Sequence, residues 1–238
     1  MQHYLGKIVD GYALLSEEEI HHLRDVRRAE IGELVEIGDG DEVFLCLVES
    51  KNPLRIKVQE KRPARELPCR LTIAFGFLKG DHNEWIVQKG TELGVHSFFP
   101  FLSSRVIVKP KEWEDSKILR LRKIASESAK QCRRANVPTV NAYTAWNEIL
   151  ALPADCKFIA YEDVSISGEH LFSALNRVQG DSILVLIGPE GGFSEKEAQE
   201  AIQSGFIPVS LGKRILRAET AAVFAASVVS AFIEGGNR

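Results

Sequence analysis

Two short segments carry residue types and spacings suited to chemistry on a bound small molecule. The first is Ile187-Gly188-Pro189-Glu190-Gly191-Gly192-Phe193-Ser194, which follows an apolar run and precedes a helix start. Its glycines let the main chain turn with positive φ and let a ligand approach the backbone closely. The C-terminal ends of parallel strands are where α/β folds bind ligands. Ser194 with Glu197 forms a capping-box pattern, so a tight turn and a helix cap account for part of the segment. The run is nevertheless longer and richer in glycine than a minimal turn, and Glu190 adds a carboxylate that a turn does not need. No Gly-Lys-Ser/Thr follows and the GxGxxG spacing is absent, which counts against a phosphate cradle and a dinucleotide fingerprint. A neutral cradle beside a carboxylate suits a cationic, nucleoside-like ligand.

The second segment is Leu211-Gly212-Lys213-Arg214-Ile215-Leu216-Arg217-Ala218-Glu219-Thr220-Ala221, again between a strand and a helix. Arg217 and Glu219 as a mere surface pair would contribute little. Arg, Glu and Thr clustered beside the C-terminal end of a strand fit a functional loop better.

The elements that must hold these loops follow from pattern. Residues 1–66 read as a small β-rich unit: Gly32–Ile37 alternates apolar and charged residues, Gly38–Asp41 is a turn, and Val43–Val48 and Leu54–Val58 are strands. Ser16 caps a short helix, with Glu19 at the capping-box position. Pro63 and Pro68 mark a linker. From residue 70 to 238 strands and helices alternate, which argues a parallel α/β sheet. Strands are expected at Leu71–Phe77, Ser97–Leu102, Phe158–Tyr161, Ile183–Ile187 and Pro208–Leu211, with an extended piece at Val106–Val108. Helices are expected at His82–Leu93 (capped by Asp81), Trp113–Arg134, Ser194–Ser204 and Ala218–Glu234. On the longest, Ile118, Leu121, Ala125, Ser128 and Cys132 share one face.

Apolar residues make up 45% and charged residues 26%, enough for a real core. Cys46, Cys69, Cys132 and Cys156 are scattered without a CxxC pair, so four reduced thiols and no metal are expected. His21 and His22 lack a third ligand and suit a structural or RNA-contacting role. Trp85, Trp113 and Trp146 read as core, and Phe193 is open to either role. Met1-Gln2-His3-Tyr4 lacks the apolar run of a signal peptide, and a cytoplasmic address is expected. The net charge of −3 argues against a nucleic-acid partner, but its distribution does not. Ser103–Pro138 holds ten Lys/Arg against four Asp/Glu, and Lys51–Arg65 holds six against one. Such segregation makes a local positive field that a polyanion would feel, although a solvated cationic helix face gives the same count.

GPEGGFSEKE followed by LGKRILRAETA resembles the paired signature of the RsmE family of SPOUT-class RNA methyltransferases. Upstream, Gln88-Lys89-Gly90-Thr91-Glu92-Leu93-Gly94 is similar to the family's QKATELG helix, and Arg105-Val106-Ile107-Val108-Lys109 resembles its RSVVK strand. Ala125–Pro138 is similar to its next helix, with Glu127, Gln131, Arg134 and Pro138 in register, and His21–Arg28 to its opening. Three positions depart: Gly90 stands in place of alanine, Cys132 of serine and Arg133 of glycine. The likeness spans nearly the whole chain.

The resemblance implies a PUA-like β-barrel RNA-binding domain over 1–66 and a SPOUT methyltransferase domain with a deep trefoil knot over 70–238. It implies a homodimer that uses S-adenosyl-L-methionine to methylate N3 of a uridine in 16S, small-subunit ribosomal RNA. The cofactor would lie against Tyr161, Gly188, Glu190, Gly191 and Gly192, and against Leu211, Gly212, Ile215 and Leu216. Deprotonation of the imino nitrogen puts negative charge on the flanking carbonyl oxygens, and Arg134 and Arg217 are the candidates to stabilise it. Glu219 would orient an arginine or accept the proton. RNA would lie along Arg105, Lys109, Lys111 and Arg133, with Lys57, Lys61 and Arg62 adding contacts from the first domain. Two rivals remain: a dinucleotide-dependent dehydrogenase, disfavoured by the missing GxGxxG, and a non-catalytic RNA-binding module, disfavoured by the intact loops.

Overall fold

A computed structural model describes residues 1–40, 42–103, 114–161 and 168–236. Two compact units emerge: Met1–Glu66 with Glu127–Val137, and Leu67–Ser126 with Pro138–Arg238.

The first unit is a closed barrel of β1 (His3–Val9), β2 (Tyr12–Leu15), β3 (Leu34–Asp39), β4 (Glu42–Lys51) and β5 (Leu54–Arg62), in the order β1-β2-β5-β4-β3. The β1–β3 pairing is parallel and closes the ring; the others are antiparallel. The opening β1–β2 hairpin, which turns at Asp10-Gly11, is a strand pair that apolar alternation alone does not single out. Tyr4, Val35, Ile37, Cys46, Val48 and Ile56 fill the barrel, and Leu23 and Ala29 close it. Helix α1 (Glu17–His21) starts at Ser16, whose Oγ accepts from the Glu19 amide. The expected capping box is only half made, because the Glu19 carboxylate takes a 2.8 Å hydrogen bond from Lys130 instead.

Glu36 departs from the alternation expected of β3. It is 1% exposed, and its carboxylate accepts from Arg65 at 3.2 Å and lies 3.6 Å from Nδ1 of His3. Burial raises the Glu36 pKa, but the hydrogen bonds and charge of Arg65 outweigh this and hold it below the usual carboxylate value. Burial lowers the His3 pKa, so the imidazole is neutral, with Nε2 donating to the Arg134 carbonyl.

The second unit is a seven-stranded, wholly parallel sheet in the order β10-β12-β9-β11-β6-β7-β8. Its strands are β6 (Arg70–Gly76), β7 (Ser97–Phe101), β8 (Thr139–Val140), β9 (Cys156–Ala160), β10 (Glu169–His170), β11 (Ser182–Ile187) and β12 (Ile207–Ser210). Both faces are covered, as the continuous apolar runs require. Ile183, Val185 and Ile187 of β11 enter one core with Leu71, Ile73 and Phe75, while Leu184 and Leu186 enter the other with Ile159 and Phe193.

Helices α2 (His82–Glu92) and α7 (Ala218–Glu234) pack together over the first of these cores. Helix α3 (Glu114–Gln131) is shorter than expected, and its buried positions Ile118, Leu121, Ala125 and Ser128 lie on the face read from the sequence. Short helices α4 (Trp146–Ala151) and α5 (Leu171–Ala174) and helix α6 (Glu195–Gln203) complete the unit. Trp85 is not core. It is 51% exposed, on the side of α2 away from Ile86 and Val87, with Nζ of Lys89 5.3 Å from its ring centroid. Trp146 packs tilted on Phe101 and Phe193, and its Nε1 donates to Glu200.

One departure from the family pattern has a local cause, and another runs against its local backbone. A Cβ on Gly90 would lie 2.7 Å from the ring of Phe98, so the phenylalanine on β7 takes the space of an alanine methyl. Arg133 has φ +61 and follows the end of α3, where the Arg134 amide bonds back to the Ala129 carbonyl. That is the left-handed closing position of a helix, which favours glycine.

Candidate functional site at the C-terminal ends of the central strands

The loops after β11 and β12 lie at the same end of the sheet, because both strands run parallel with β9 between them. The loop after β11 is drawn tight at Gly188, where a Cβ would meet Gly192 and the Phe193 ring at 3.2 Å. Phe193 is therefore a core residue, 6% exposed and stacked at 6.3 Å on Phe101. Its burial anchors the glycine loop from below. Ser194 and Glu197 make the full capping box: the Ser194 amide donates to Glu197 Oε2 at 2.8 Å and the Glu197 amide to Ser194 Oγ at 3.2 Å. Glu190, Gly191 and, in part, Gly192 remain open on the outer side of the turn.

The loop after β12 turns on Ser210, whose Oγ accepts from the Gly212 amide. Gly212, with φ +115, and Ile215, 84% exposed, stand in the open, and Leu216 is half-buried. Arg217 is exposed at the N-cap of α7 and Glu219 is in that helix's first turn, its side chain 13% exposed. Tyr161, just past β9, is 8% exposed and its amide donates to Val209 of β12.

A third loop, absent from the sequence expectations, meets the glycine turn and leads into a helix that meets the start of α7. Residues 77–81 follow β6, the neighbour of β11. Gly76 approaches Pro189 so closely that a Cβ would lie 2.6 Å from it. The Lys79 amide donates to Glu190 Oε1 at 2.9 Å, and Nδ1 of His82 lies 3.5 Å from Glu219 Oε1. The loop is held in shape by Asn83, which is 3% exposed and bonds both the amide and the carbonyl of Leu78. Asp81 stands at the N-cap of α2 without a side-chain capping bond. The two signature carboxylates are thus engaged by the loop and by the first residue of the helix that follows it. The spacing of Lys79, His82 and Asn83 in the chain carried no signal for this, since it arises only when β6 pairs with β11.

Arg134 is placed differently from the expectation. It belongs to the first unit, is 3% exposed, and its guanidinium is held by Glu66, with Nε at 2.8 Å. Glu66 also accepts from the amides of Ala135 and Asn136. A guanidinium so buried and paired closes the end of α3 rather than meeting a substrate. In the same unit, Lys57 and Arg133 are exposed and Arg62 pairs with Glu60 at 2.6 Å. Arg105, Lys109, Lys111 and the extended piece Val106–Val108 lie outside the described residues, as does Trp113. A groove of about 610 Å³ lined by Arg70, Ser97, Asp155, Lys157 and Ser182 sits at the opposite, N-terminal ends of the strands, away from all three loops.

Residues 65–230 match the family model of an RNA methyltransferase domain, and residues 15–61 that of an RNA methyltransferase PUA domain. The chain is 36% identical to ribosomal RNA small subunit methyltransferase E of Bacillus subtilis (strain 168), over 91% of this chain and 88% of that protein. It is 31% identical to the protein of the same name from Synechocystis, over 96% and 76%. The crystal structure of a ribosomal RNA small subunit methyltransferase E from Neisseria gonorrhoeae bound to S-adenosyl methionine superimposes with a TM-score of 0.83 at 26% identity, covering 98% of this chain and 97% of that one.

Proposed function

Since this chain belongs to the ribosomal RNA small subunit methyltransferase E family, we propose that it transfers the methyl group of S-adenosyl-L-methionine to N3 of one uridine in 16S ribosomal RNA. The observation that carries the reading furthest is the convergence of the loops after β6, β11 and β12, with Glu190 and Glu219 tied into it.

The residues fit such a cofactor. The turn at Gly188 is packed tightly against Gly192 and Phe193, and the main chain at exposed Gly191 and half-buried Gly192 is free of side chains that would keep a ligand away. Glu190 offers negative charge to a cation. The exposed Ile215 offers apolar surface that a nucleobase would cover, beside Leu211, Gly212 and Leu216. Tyr161 closes the floor near β9. When bound, the cofactor supplies an electrophilic methyl group on a cationic sulfur.

What the chain must do is orient the imino nitrogen in line with that methyl group and favour loss of its proton. Arg217, at the mouth of α7, stabilises the charge that spreads onto the uridine carbonyl oxygens. Glu219 receives the imino proton. Arg134 is assigned a structural role because of its burial against Glu66. RNA is held electrostatically by Lys57, Arg62 and Arg133, and by Arg105, Lys109 and Lys111 in the segment beyond the described residues. The uridine is taken unpaired or extruded.

The domain reading follows the same premise: a PUA-like RNA-binding barrel over 1–66 and a knotted SPOUT domain over 70–238, acting in the cytoplasm. A homodimer is supported by α7, which leaves Phe224, Val228 and Ala231 at least partly open along one side. No helix among the described residues is long and apolar enough to cross a membrane. Calorimetric titration tests the cofactor assignment: S-adenosyl-L-methionine binds and a nicotinamide dinucleotide does not. Binding of the dinucleotide alone would overturn it.

A further inference from the structure

We propose that His82 positions Glu219 and carries away the proton that the substrate's imino nitrogen loses; the inference rests on the methyl-transfer reading above. His82 opens α2 and Glu219 lies in the first turn of α7, two helices that pack against each other. Nδ1 of His82 and Oε1 of Glu219 are 3.5 Å apart. The pair is graded in exposure: the Glu219 side chain is 13% exposed and that of His82 43%. The carboxylate is sheltered and the imidazole opens to solvent, which is the order a proton needs to leave a closed site.

A lone carboxylate is a weak base toward an imino nitrogen. An imidazole exchanges a proton readily near neutrality. Placed behind Glu219, it restores the carboxylate after each turnover. The step balances as follows: the N3–H bond breaks and its proton passes to Glu219 and on to His82; the electron pair left on N3 forms the new N–CH3 bond while the bond from that methyl to the donor sulfur breaks, its electron pair staying on sulfur as a neutral thioether. The imidazolium then releases the proton to water. The ionic partner of His82 is Glu219 on α7; Asp81 precedes it at the N-cap of α2, and Glu84, in the same turn, pairs with Arg120 from α3. Asn83, by clasping Leu78, holds the start of α2 so that the imidazole keeps its place.

The test uses the full-length protein and small ribosomal subunits that lack the methyl group. For the wild type, H82Q, H82N and E219Q, kcat and kcat/KM are measured against pH, with cofactor affinity by calorimetry and folding by thermal melting. H82Q and H82N should lower kcat about tenfold, leave cofactor affinity within about twofold and remove the acidic limb of the pH profile. The H82Q/E219Q double variant should be no worse than E219Q alone, as for residues acting as a unit. An unchanged acidic limb in H82Q, or losses that multiply in the double variant, would overturn the assignment. If the wild type transfers no methyl group, the functional reading fails, and the assignment with it.

Discussion

The backbone amide of Lys79 donates to the carboxylate of Glu190 across 111 positions of sequence, and so the loop after β6 is fastened to the glycine turn after β11. The carboxylate therefore joins two loops, and in the proposed function its other oxygen would meet the cationic cofactor. Glu190→Ala removes both contributions. A hydrogen bond to a charged group contributes about 1.5–3 kcal/mol, so cofactor affinity should fall about ten- to hundredfold, with Glu190→Gln in between. Calorimetry on the two variants checks this; equal affinity for wild type and alanine would show that the loops hold without it.

Arg134 and Arg217 should separate cleanly. Arg134→Ala leaves Glu66 without its guanidinium partner in the first unit, a change that costs about 3–5 kcal/mol in comparable buried pairs. Denaturant unfolding should register that loss. Arg217→Ala touches an exposed cap and should leave unfolding almost unchanged while reducing kcat more than cofactor binding. Loss of turnover and affinity in equal measure would remove Arg217 from the transition state.

Much of this organisation was legible in sequence. The α7 span, the buried character of β11 and the Ser194–Glu197 box follow from local pattern, and both candidate loops stand out by glycine and charge beyond a minimal turn. The roles of Lys79, His82 and Asn83 were not legible, because they depend on β6 lying beside β11 in a sheet whose order departs from chain order. Glu36 and Arg134 misled for a related reason. A charged residue reads as solvent-facing or substrate-facing until the partner that permits its burial is known, and here the partners Arg65 and Glu66 come from the linker. Trp85 misled in the other direction, since its apolar neighbours Ile86 and Val87 lie on a different face of α2.

Acid should weaken the first unit through His3 and Glu36. The His3 pKa is lowered on folding, so its contribution is lost as pH falls through the ordinary imidazole value of 6.5, where the unfolded chain takes up a proton that the buried ring resists. The Glu36 pKa is also lowered, so its contribution is present above the ordinary carboxylate value of 4.5 and is lost on further acidification through the folded-state value. Both slopes have the same sign. Melting temperature should decline from pH 7 to pH 4.5, and His3→Gln should flatten the upper part of that decline. An unchanged profile in His3→Gln would rule out the imidazole as its source.

Arg133 holds a left-handed backbone that a side chain disfavours by about 1–2 kcal/mol. Arg133→Gly should therefore stabilise the protein, by up to about 1 kcal/mol after the entropy glycine adds to the unfolded chain. It should also weaken RNA binding and reduce the dependence of log K on log salt by about 0.7–0.9, the share of one phosphate contact. Greater stability with an unchanged salt slope would exclude Arg133 from the RNA surface.

The most direct test of methyl transfer to uridine N3 uses radiolabelled S-adenosyl-L-methionine and small ribosomal subunits from cells that lack this protein. After reaction, the RNA is digested and its nucleosides are separated. Label in N3-methyluridine is the predicted result and joins cofactor, substrate and atom in one observation. Label in a different nucleoside, or none despite measured cofactor binding, would contradict it.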